Sequence, residues 1–419
     1  MEQVLFFIAL AVGFYMAWNI GANDVANAFG TSVSSGALTF RRAVLLAAVF
    51  EFSGAYFVGS HVSQTIRGGI ISPAIFVHSP YLFVIGMLAA LLGAAIWLNI
   101  ATYFSQPVST THAIIGAVIG FGMVAAGPEY VQWAKLFRIA ASWFISPVVG
   151  AILGFFIYIC IRKFVLRSHN PVASAYAVVP LGLGAVFFII AFSILQHVVL
   201  RAYPSPDQAA RGMWIVLSAS LFIAVAGGLT GRLLLRRHCR NPSSHDPAVV
   251  NTSVERWFGY MQVITACYMS FAHGANDVAN AIAPVAGVFQ ALHGNVEVQA
   301  PVPAWVLAYG GLGIVLGLAM YGRKVIEAVG RKITEITPTR GFSAEFATAT
   351  TVLACSMMGL PISTTFVLVG AVMGVGFARG FGAIDLSVVK RIFTSWIITI
   401  PVSAFLTMII YWLITAIWK

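Results

Sequence analysis

One eight-residue motif, Gly-Ala-Asn-Asp-Val-Ala-Asn-Ala, occurs twice in this 419-residue chain, at 21–28 and at 274–281. Each copy lies inside an apolar stretch long enough to enter a bilayer, and each carries one carboxylate, Asp24 or Asp277. A charge is costly in hydrocarbon, so a carboxylate within a membrane segment indicates a functional site. The hard, anionic oxygens of these two residues suit a small cation, either Na⁺ or a proton.

Asparagine amides flank both carboxylates. Asn27 and Asn280 follow three residues later, one helical turn away on the same face, and offer further oxygens to a cation. Asn23 and Asn276 come directly before the carboxylates and offer both hydrogen-bond donors and acceptors. We therefore expect Asp24, Asn27, Asp277 and Asn280 to hold the cation.

The octapeptide also predicts a break in its helix. Gly, Asn and Asp are poor helix formers, and the backbone groups that a break frees are tolerated at membrane depth only where they line a cavity or bind a ligand. The alternative interpretation is that Gly21, Ala22 and Ala26 only allow neighbouring helices to approach closely.

A second repeated motif joins proline to three hydroxyl residues, at 107–111 and again, with Ile in place of Val, at 361–365. Proline begins or ends helices and Ser and Thr cap them, so each copy predicts a helix start within the membrane. Free N–H groups at a helix start bind anions, and two such starts could hold a tetrahedral oxyanion between them. Two ordinary capped helix starts are the alternative. The candidate anion ligands are Ser109, Thr110, Thr111, Ser363, Thr364 and Thr365.

Neither motif contains Lys or Arg, so the two carboxylates would repel an anion bound between them. Two unit charges about 5 Å apart, at an effective dielectric near 20, repel by roughly 3 kcal/mol. Cations bound at Asp24 and Asp277 would offset this repulsion, and each ligand would then raise the affinity of the other. The motifs therefore predict symport of a cation and an anion.

The amino-acid composition indicates the class of fold that holds these motifs in place. The chain is 59% hydrophobic and 9% charged, with a mean hydropathy of +0.90, which predicts an all-α integral membrane protein. The net charge of +11 reflects basic loops, so we expect no nucleic-acid partner. The four cysteines predict neither a disulfide framework nor a zinc site. About twelve transmembrane segments are predicted, at 3–29, 41–60, 81–103, 107–126, 137–161, 177–200, 213–235, 258–284, 303–322, 342–360, 363–380 and 388–416.

The charge of the loops predicts the topology. When alternate loops are placed on opposite sides, most Lys and Arg residues fall on one side, which puts both termini outside the cytoplasm. Seven segments precede the second octapeptide, so its copy enters from the opposite face. This predicts two inverted five-helix repeats, 1–165 and 251–419, around two helices and a linker at 166–250. Whether the 81–126 and 342–380 pairs are full spans or re-entrant hairpins stays open.

The stretches from Gly21 to Thr39 and from Phe271 to Pro284 resemble the paired signatures of the inorganic phosphate transporter (PiT) family. The resemblance covers essentially the whole chain and implies a phosphate symporter, driven by Na⁺ or H⁺, that works by alternating access. It implies cation coupling at Asp24 and Asp277, and phosphate binding by Asn23, Asn276 and the hydroxyls of both Ser-Thr-Thr motifs.

The same resemblance implies further properties. It adds three residues with coupling or gating roles, Glu51, His273 and Glu345, and it implies a homodimer. The connection from Arg236 to Trp257 is short, unlike the long loop of eukaryotic members, so we expect a bacterial inner-membrane protein. One departure from the family is that the histidine after the first Ser-Thr-Thr, His112, is replaced by Phe366 after the second.

We therefore predict Na⁺-coupled phosphate symport, with H⁺ as the other candidate coupling ion and no cofactor. A sulfate symporter of the same family is an alternative, because Asn, Ser and Thr do not distinguish the two anions. An anion channel is a weaker alternative, since inverted repeats with intramembrane carboxylates are typical of transporters. No nucleophile–base set or metal cluster of suitable spacing predicts an enzyme.

Overall fold

The computed structural model describes residues 2–104, 108–203, 206–238, 247–294, 302–330, 337–380 and 386–417. These residues are almost entirely helical, which confirms the all-α prediction, and an isolated β-bridge pairs Ile71 with Val131. The α-helices are α1 (Glu2–Ser34), α2 (Phe40–Val58), α3 (Ser60–Gly69), α4 (Pro80–Tyr103), α5 (Thr110–Ala125), α6 (Trp133–Ile161), α7 (Pro171–Ala202), α8 (Pro206–His238), α9 (Pro247–Leu292), α10 (Ala304–Gly330), α11 (Pro338–Met357), α12 (Thr364–Phe377) and α13 (Leu386–Ile417).

Each of the twelve predicted segments corresponds to a helix, and a further helix, α3, follows the second segment and was not predicted. A bend of 59° separates α2 from α3. The intervening residue, Gly59, has no side chain, so Val278 of α9 packs directly against the bend. Within the described residues, seven helices are long and apolar enough to cross a membrane, or eight if the bent pair is one span. The count of twelve spans stays a prediction.

The predicted break in the octapeptide is wrong, because both α1 and α9 run through their copies without interruption. The glycines instead serve close packing. A Cβ atom added to Gly21 would overlap the carbonyl of Ile314 in α10, and one added to Gly274 would overlap that of Glu51 in α2. Packing against a neighbouring backbone therefore overrides the weak helix propensity of these residues.

Helices α1 and α9 pack against each other in opposite directions. The Phe6 ring, near the start of α1, lies 5.5 Å from the Phe289 ring, near the end of α9. At the other end of α1, Ser35 Oγ donates to Gln262 Oε1 at 2.8 Å. The two octapeptides therefore meet near the middle of this antiparallel pair.

The helices that start at the Ser-Thr-Thr motifs are short, with 16 residues in α5 and 14 in α12. At 1.5 Å per residue they reach about 21–24 Å, less than the roughly 30 Å of a bilayer core. In each of these two short helices, a pair of glycines allows close packing against the backbone of a long helix. Gly116 and Gly120 of α5 lie against the α13 backbone, and Gly370 and Gly374 of α12 lie against that of α6.

Candidate cation and anion site

Asp24 and Asp277 meet in the centre of the protein, where both are at most 1% exposed. Ligand atoms of Asp24, His273 and Asp277 all lie within 4.8 Å of one another. Two carboxylates that lie so close in a buried, low-dielectric environment repel each other strongly. Their juxtaposition, which the repeat predicted, makes this position favourable for bound cations.

A threonine from a helix start donates to each carboxylate. Thr110 Oγ1, in the first residue of α5, donates to Asp24 Oδ2 at 2.8 Å. The corresponding Thr364 of α12 donates to Asp277 Oδ2 at 3.0 Å. The Ser-Thr-Thr motif and the octapeptide of each half therefore contact each other directly.

The second asparagine of each octapeptide reaches the helix start of the other half. Asn27 Nδ2 donates to Thr365 Oγ1 at 2.8 Å, and Asn280 Nδ2 donates to Thr111 Oγ1 at 3.1 Å. Thr111 in turn donates to the carbonyl of Ile362 at 3.0 Å, so the starts of α5 and α12 lie side by side. Two helix N-termini thus converge where the carboxylates meet.

The first asparagines contact residues that the sequence analysis did not single out. Asn23 Nδ2 donates to Thr102 Oγ1 of α4 at 2.6 Å, and the Asn276 side-chain amide lies 2.9 Å from Ser356 Oγ of α11. Thr102 and Ser356 occupy corresponding positions ahead of the two Ser-Thr-Thr motifs, a spacing that could have revealed them.

The motif serines differ between the halves. Ser109 Oγ accepts from the backbone N–H of His112 at 3.2 Å and so caps α5. Ser363 Oγ makes no such bond and is buried without a partner in the part of the chain that the structure describes. The residues that follow the two motifs, His112 and Phe366, contact each other, with ring centroids 5.2 Å apart.

A row of ionisable side chains extends from the centre. His273 Nδ1 lies 2.8 Å from Glu51 Oε2, and its Nε2 lies 2.8 Å from Asp277 Oδ2. All three side chains are at most 1% exposed. The imidazole therefore bridges two buried carboxylates, which places Glu51 and His273 next to the paired aspartates.

Glu345 lies in a separate polar cluster and is completely buried. Ser32 and Thr265 donate to its carboxylate at 2.9 and 2.6 Å, Gln262 donates at 3.3 Å, and Thr31 also donates to it. All four donors are neutral, so within the described residues this carboxylate has no cationic hydrogen-bond partner. None of these four donors belongs to a repeated motif, so the sequence gives no signal that they surround Glu345.

Three oxygen atoms at the centre are suited to receive ligands. Asp24 Oδ1, Asn280 Oδ1 and Ser363 Oγ are buried and have no hydrogen-bond partner among the residues that are described. A buried polar atom without a partner costs roughly 1–3 kcal/mol. Oxygen atoms of this kind fit a small hard cation, and the hydroxyl also fits an oxyanion.

A sequence model of the phosphate transporter family matches residues 20–407 of the chain. The chain belongs to this family. It is 46% identical to the chloroplastic inorganic phosphate transporter 2-1 of Arabidopsis thaliana, over 99% of this chain and 73% of that protein. A solved structure described as the sodium-dependent phosphate transporter is 40% identical, with a TM-score of 0.90, and the match covers 99% of this chain and 100% of that one.

Membership of the phosphate transporter family confirms the predicted resemblance and makes the chain a transporter rather than an enzyme. The family match spans both octapeptides and both Ser-Thr-Thr motifs. All the residues that meet in the centre therefore lie within the part of the chain that defines this family.

Proposed function

We propose that this phosphate transporter is a Na⁺-coupled symporter of inorganic phosphate that works by alternating access. The observation that carries the proposal is the contact of each buried carboxylate with the hydroxyl of a helix start. A cation at the carboxylates and an anion at the helix starts would be near neighbours. Each would then lower the electrostatic cost of binding the other.

Specific atoms suit each ligand. Asp24 Oδ1 and Asn280 Oδ1 are oxygen acceptors without partners in the described chain, and they suit Na⁺. The N–H groups at the starts of α5 and α12, with the hydroxyls of both Ser-Thr-Thr motifs, suit a phosphate. Asn27 links α1 to the start of α12, and Asn280 links α9 to the start of α5. Asn23 and Asn276 complete the proposed phosphate set from α1 and α9.

The proposed mechanism rests on inverted repeats. The antiparallel packing of α1 and α9 supports inverted repeats, and so does the matching pair of contacts in which α5 packs on α13 and α12 packs on α6. Inverted repeats allow a site at the midplane to open to either face by exchanging the conformations of the two halves. We accordingly propose the repeats at 1–165 and 251–419, with 166–250 between them.

Glu51, His273 and Glu345 have proposed coupling roles. The imidazole of His273 joins Glu51 to Asp277, so a change of charge at any of the three alters the field at the cation position. Glu345 is a buried carboxylate among neutral donors, and a cation or proton bound there would neutralise it. We also propose a homodimer in a bacterial inner membrane with both termini outside the cytoplasm.

Uptake of labelled phosphate into proteoliposomes tests the function. We expect an inward Na⁺ gradient at constant pH and membrane potential to drive accumulation, and excess sulfate not to compete. Asp24→Asn and Asp277→Asn should abolish the Na⁺ dependence, whereas Glu2→Gln, at the exposed start of α1, should not change it. Accumulation driven by a pH gradient alone would replace Na⁺ with H⁺ as the coupling ion, and equal competition by sulfate would overturn the phosphate assignment.

A further inference from the structure

A cavity of about 380 Å³ lies beside the connection between α11 and α12. Its lining comes from α3, from Lys135 near the start of α6, and from residues 357–359. The side chains at its wall include His61, Gln64 and Thr65. Since one water takes about 30 Å³, the space is sufficient for a hydrated oxyanion.

The cavity adjoins the proposed phosphate site through a single short segment. Gly359 lines the cavity, and Ser363 and Thr364 begin α12 only a few residues later. Gly359 has a φ of +69°, a left-handed conformation that side-chain-bearing residues rarely adopt, and it allows the chain to turn here. The cavity and the helix start therefore lie at the two ends of residues 359–363.

Side chains from three other helices hold this segment by its carbonyl groups. Thr65 Oγ1 of α3 donates to Gly359 O at 2.7 Å, Trp143 Nε1 of α6 donates to Pro361 O at 2.9 Å, and Thr111 donates to Ile362 O at 3.0 Å. The Thr65 bond lies at the cavity wall, and the Thr111 bond lies at the central site. A movement of residues 359–363 would therefore change contacts both at the cavity wall and at the central site.

The charge of the cavity is opposite to that of the centre. Lys135 is exposed, and among the described residues that line the cavity none carries a carboxylate. His61 Nδ1 lies 3.2 Å from the carbonyl of Val58, so Nε2 is the ring nitrogen that this contact does not use. A lysine ammonium group is a strong point-charge ligand for phosphate. An oxyanion is therefore favoured in the cavity before any cation has bound, whereas the centre requires the cations first.

We propose that this cavity is a capture site for inorganic phosphate, in which Lys135 holds the anion before it passes the Thr65–Gly359 contact to the central site. Capture at Lys135 is independent of Na⁺, and transfer to the starts of α5 and α12 follows when cations occupy the carboxylates. The inference rests on the proposed phosphate symport and adds a second anion site to it.

Two measurements test the capture site. In the uptake assay, Lys135→Gln should raise the KM for phosphate about three- to fivefold, the size expected of one exposed ion pair, with kcat unchanged. The difference should shrink at high ionic strength, and Lys135→Arg should restore the native KM. Arg138→Gln removes another exposed charge from the same helix, outside the cavity, and should leave KM unchanged. An unchanged KM in Lys135→Gln contradicts the proposal.

The second measurement needs no transport. Gln64→Cys places a thiol at the exposed cavity wall, and its reaction with an anionic methanethiosulfonate is followed after subtracting the labelling of the native chain. Inorganic phosphate should slow this reaction in Na⁺-free buffer, and should do so less when Lys135 is also replaced by Gln. Protection that is absent, or that requires Na⁺, would overturn the capture site. Absence of Na⁺-driven uptake by the native chain would instead overturn the proposed symport. In that case, protection of the thiol by phosphate would still show whether the cavity binds the anion.

Discussion

The side-chain amide of Asn27 donates to Oγ1 of Thr365 at 2.8 Å, although 338 positions separate the two residues in the chain. The converse contact joins Asn280 to Thr111 at 3.1 Å. Each octapeptide therefore positions the helix start of the other half as well as contacting its own. The geometry of the proposed phosphate site thus depends on both halves at once.

Asn27→Ala should loosen the start of α12 and weaken phosphate binding. One hydrogen bond between neutral groups contributes about 0.5–1.5 kcal/mol, so we expect the KM for phosphate uptake to rise about two- to tenfold. Asn280→Ala should act in the same direction through Thr111. Asn251→Ala removes an exposed amide near the start of α9, far along that helix from the octapeptide, and its KM should match that of the native chain. Equal KM values for Asn27→Ala and Asn251→Ala would contradict this role.

His273→Ala should destabilise the protein strongly, because it leaves the buried Glu51 and Asp277 without their common partner. Breaking a buried ion pair from one side costs about 3–5 kcal/mol. Chemical unfolding in detergent micelles measures this loss. The exposed His169 provides the control, since His169→Ala should change the free energy of unfolding by less than about 0.5 kcal/mol. A loss below about 1 kcal/mol in His273→Ala would show that the imidazole does not hold the carboxylates.

Glu345→Gln should lower the apparent affinity for Na⁺ in phosphate uptake. Glutamine keeps the size of the side chain and an oxygen acceptor but cannot supply a negative charge to a cation. We expect the half-saturating Na⁺ concentration to rise about tenfold, which corresponds to about 1.4 kcal/mol. Glu255→Gln is the matched control, because Glu255 accepts from Thr339 at the start of α11, apart from the Glu345 cluster. Superimposable Na⁺ curves for the Glu345→Gln and native chains would remove Glu345 from the coupling scheme.

Gly54→Ala and Gly259→Ala should change stability in opposite directions. A Cβ atom at Gly54 would overlap the Phe271 carbonyl oxygen of α9, and such overpacking typically costs about 1–3 kcal/mol. A Cβ atom at Gly259 would meet nothing within 4 Å. Alanine there should gain about 0.5–1 kcal/mol from its higher helix propensity. Free energies of unfolding measured side by side decide the matter, and a stabilising Gly54→Ala would show that α2 and α9 can separate without cost.

The sequence predicted the helices and the central carboxylates well, because both depend on patterns that the chain repeats. Long apolar runs must be helical in a bilayer, whatever their neighbours. The recurrence of the octapeptide in inverted repeats predicted that Asp24 and Asp277 would meet, and resemblance to the family implied His273 and Glu51. Apolar runs and a repeated motif can both be recognised in the sequence without knowing which helices contact each other.

Two features could not be predicted because they depend on contacts between distant segments. Local propensity predicted a broken helix at Gly21, but the nearby Ile314 backbone keeps α1 continuous. The donors around Glu345 come from α1 and α9, and nothing in their local sequence distinguishes them from ordinary polar residues. Likewise, the motifs alone did not show that Asn27 would reach the opposite helix start.

The close packing of α5 against α13 has a consequence for the order in which the protein assembles during its synthesis. Gly116 and Gly120 lie against the backbone of Ile400 and Ala404, residues 284 positions later in the chain that are therefore synthesised well after α5. At a synthesis rate of about 5–20 residues per second, roughly 15–60 s pass between the synthesis of α5 and that of the α13 residues against which it packs. For the first part of that interval α5 also lacks the second octapeptide, whose Asn280 donates to Thr111. The central site is therefore assembled only after α13 has been made, and a chain truncated before α13 would lack the support of the first helix start as well as α13 itself.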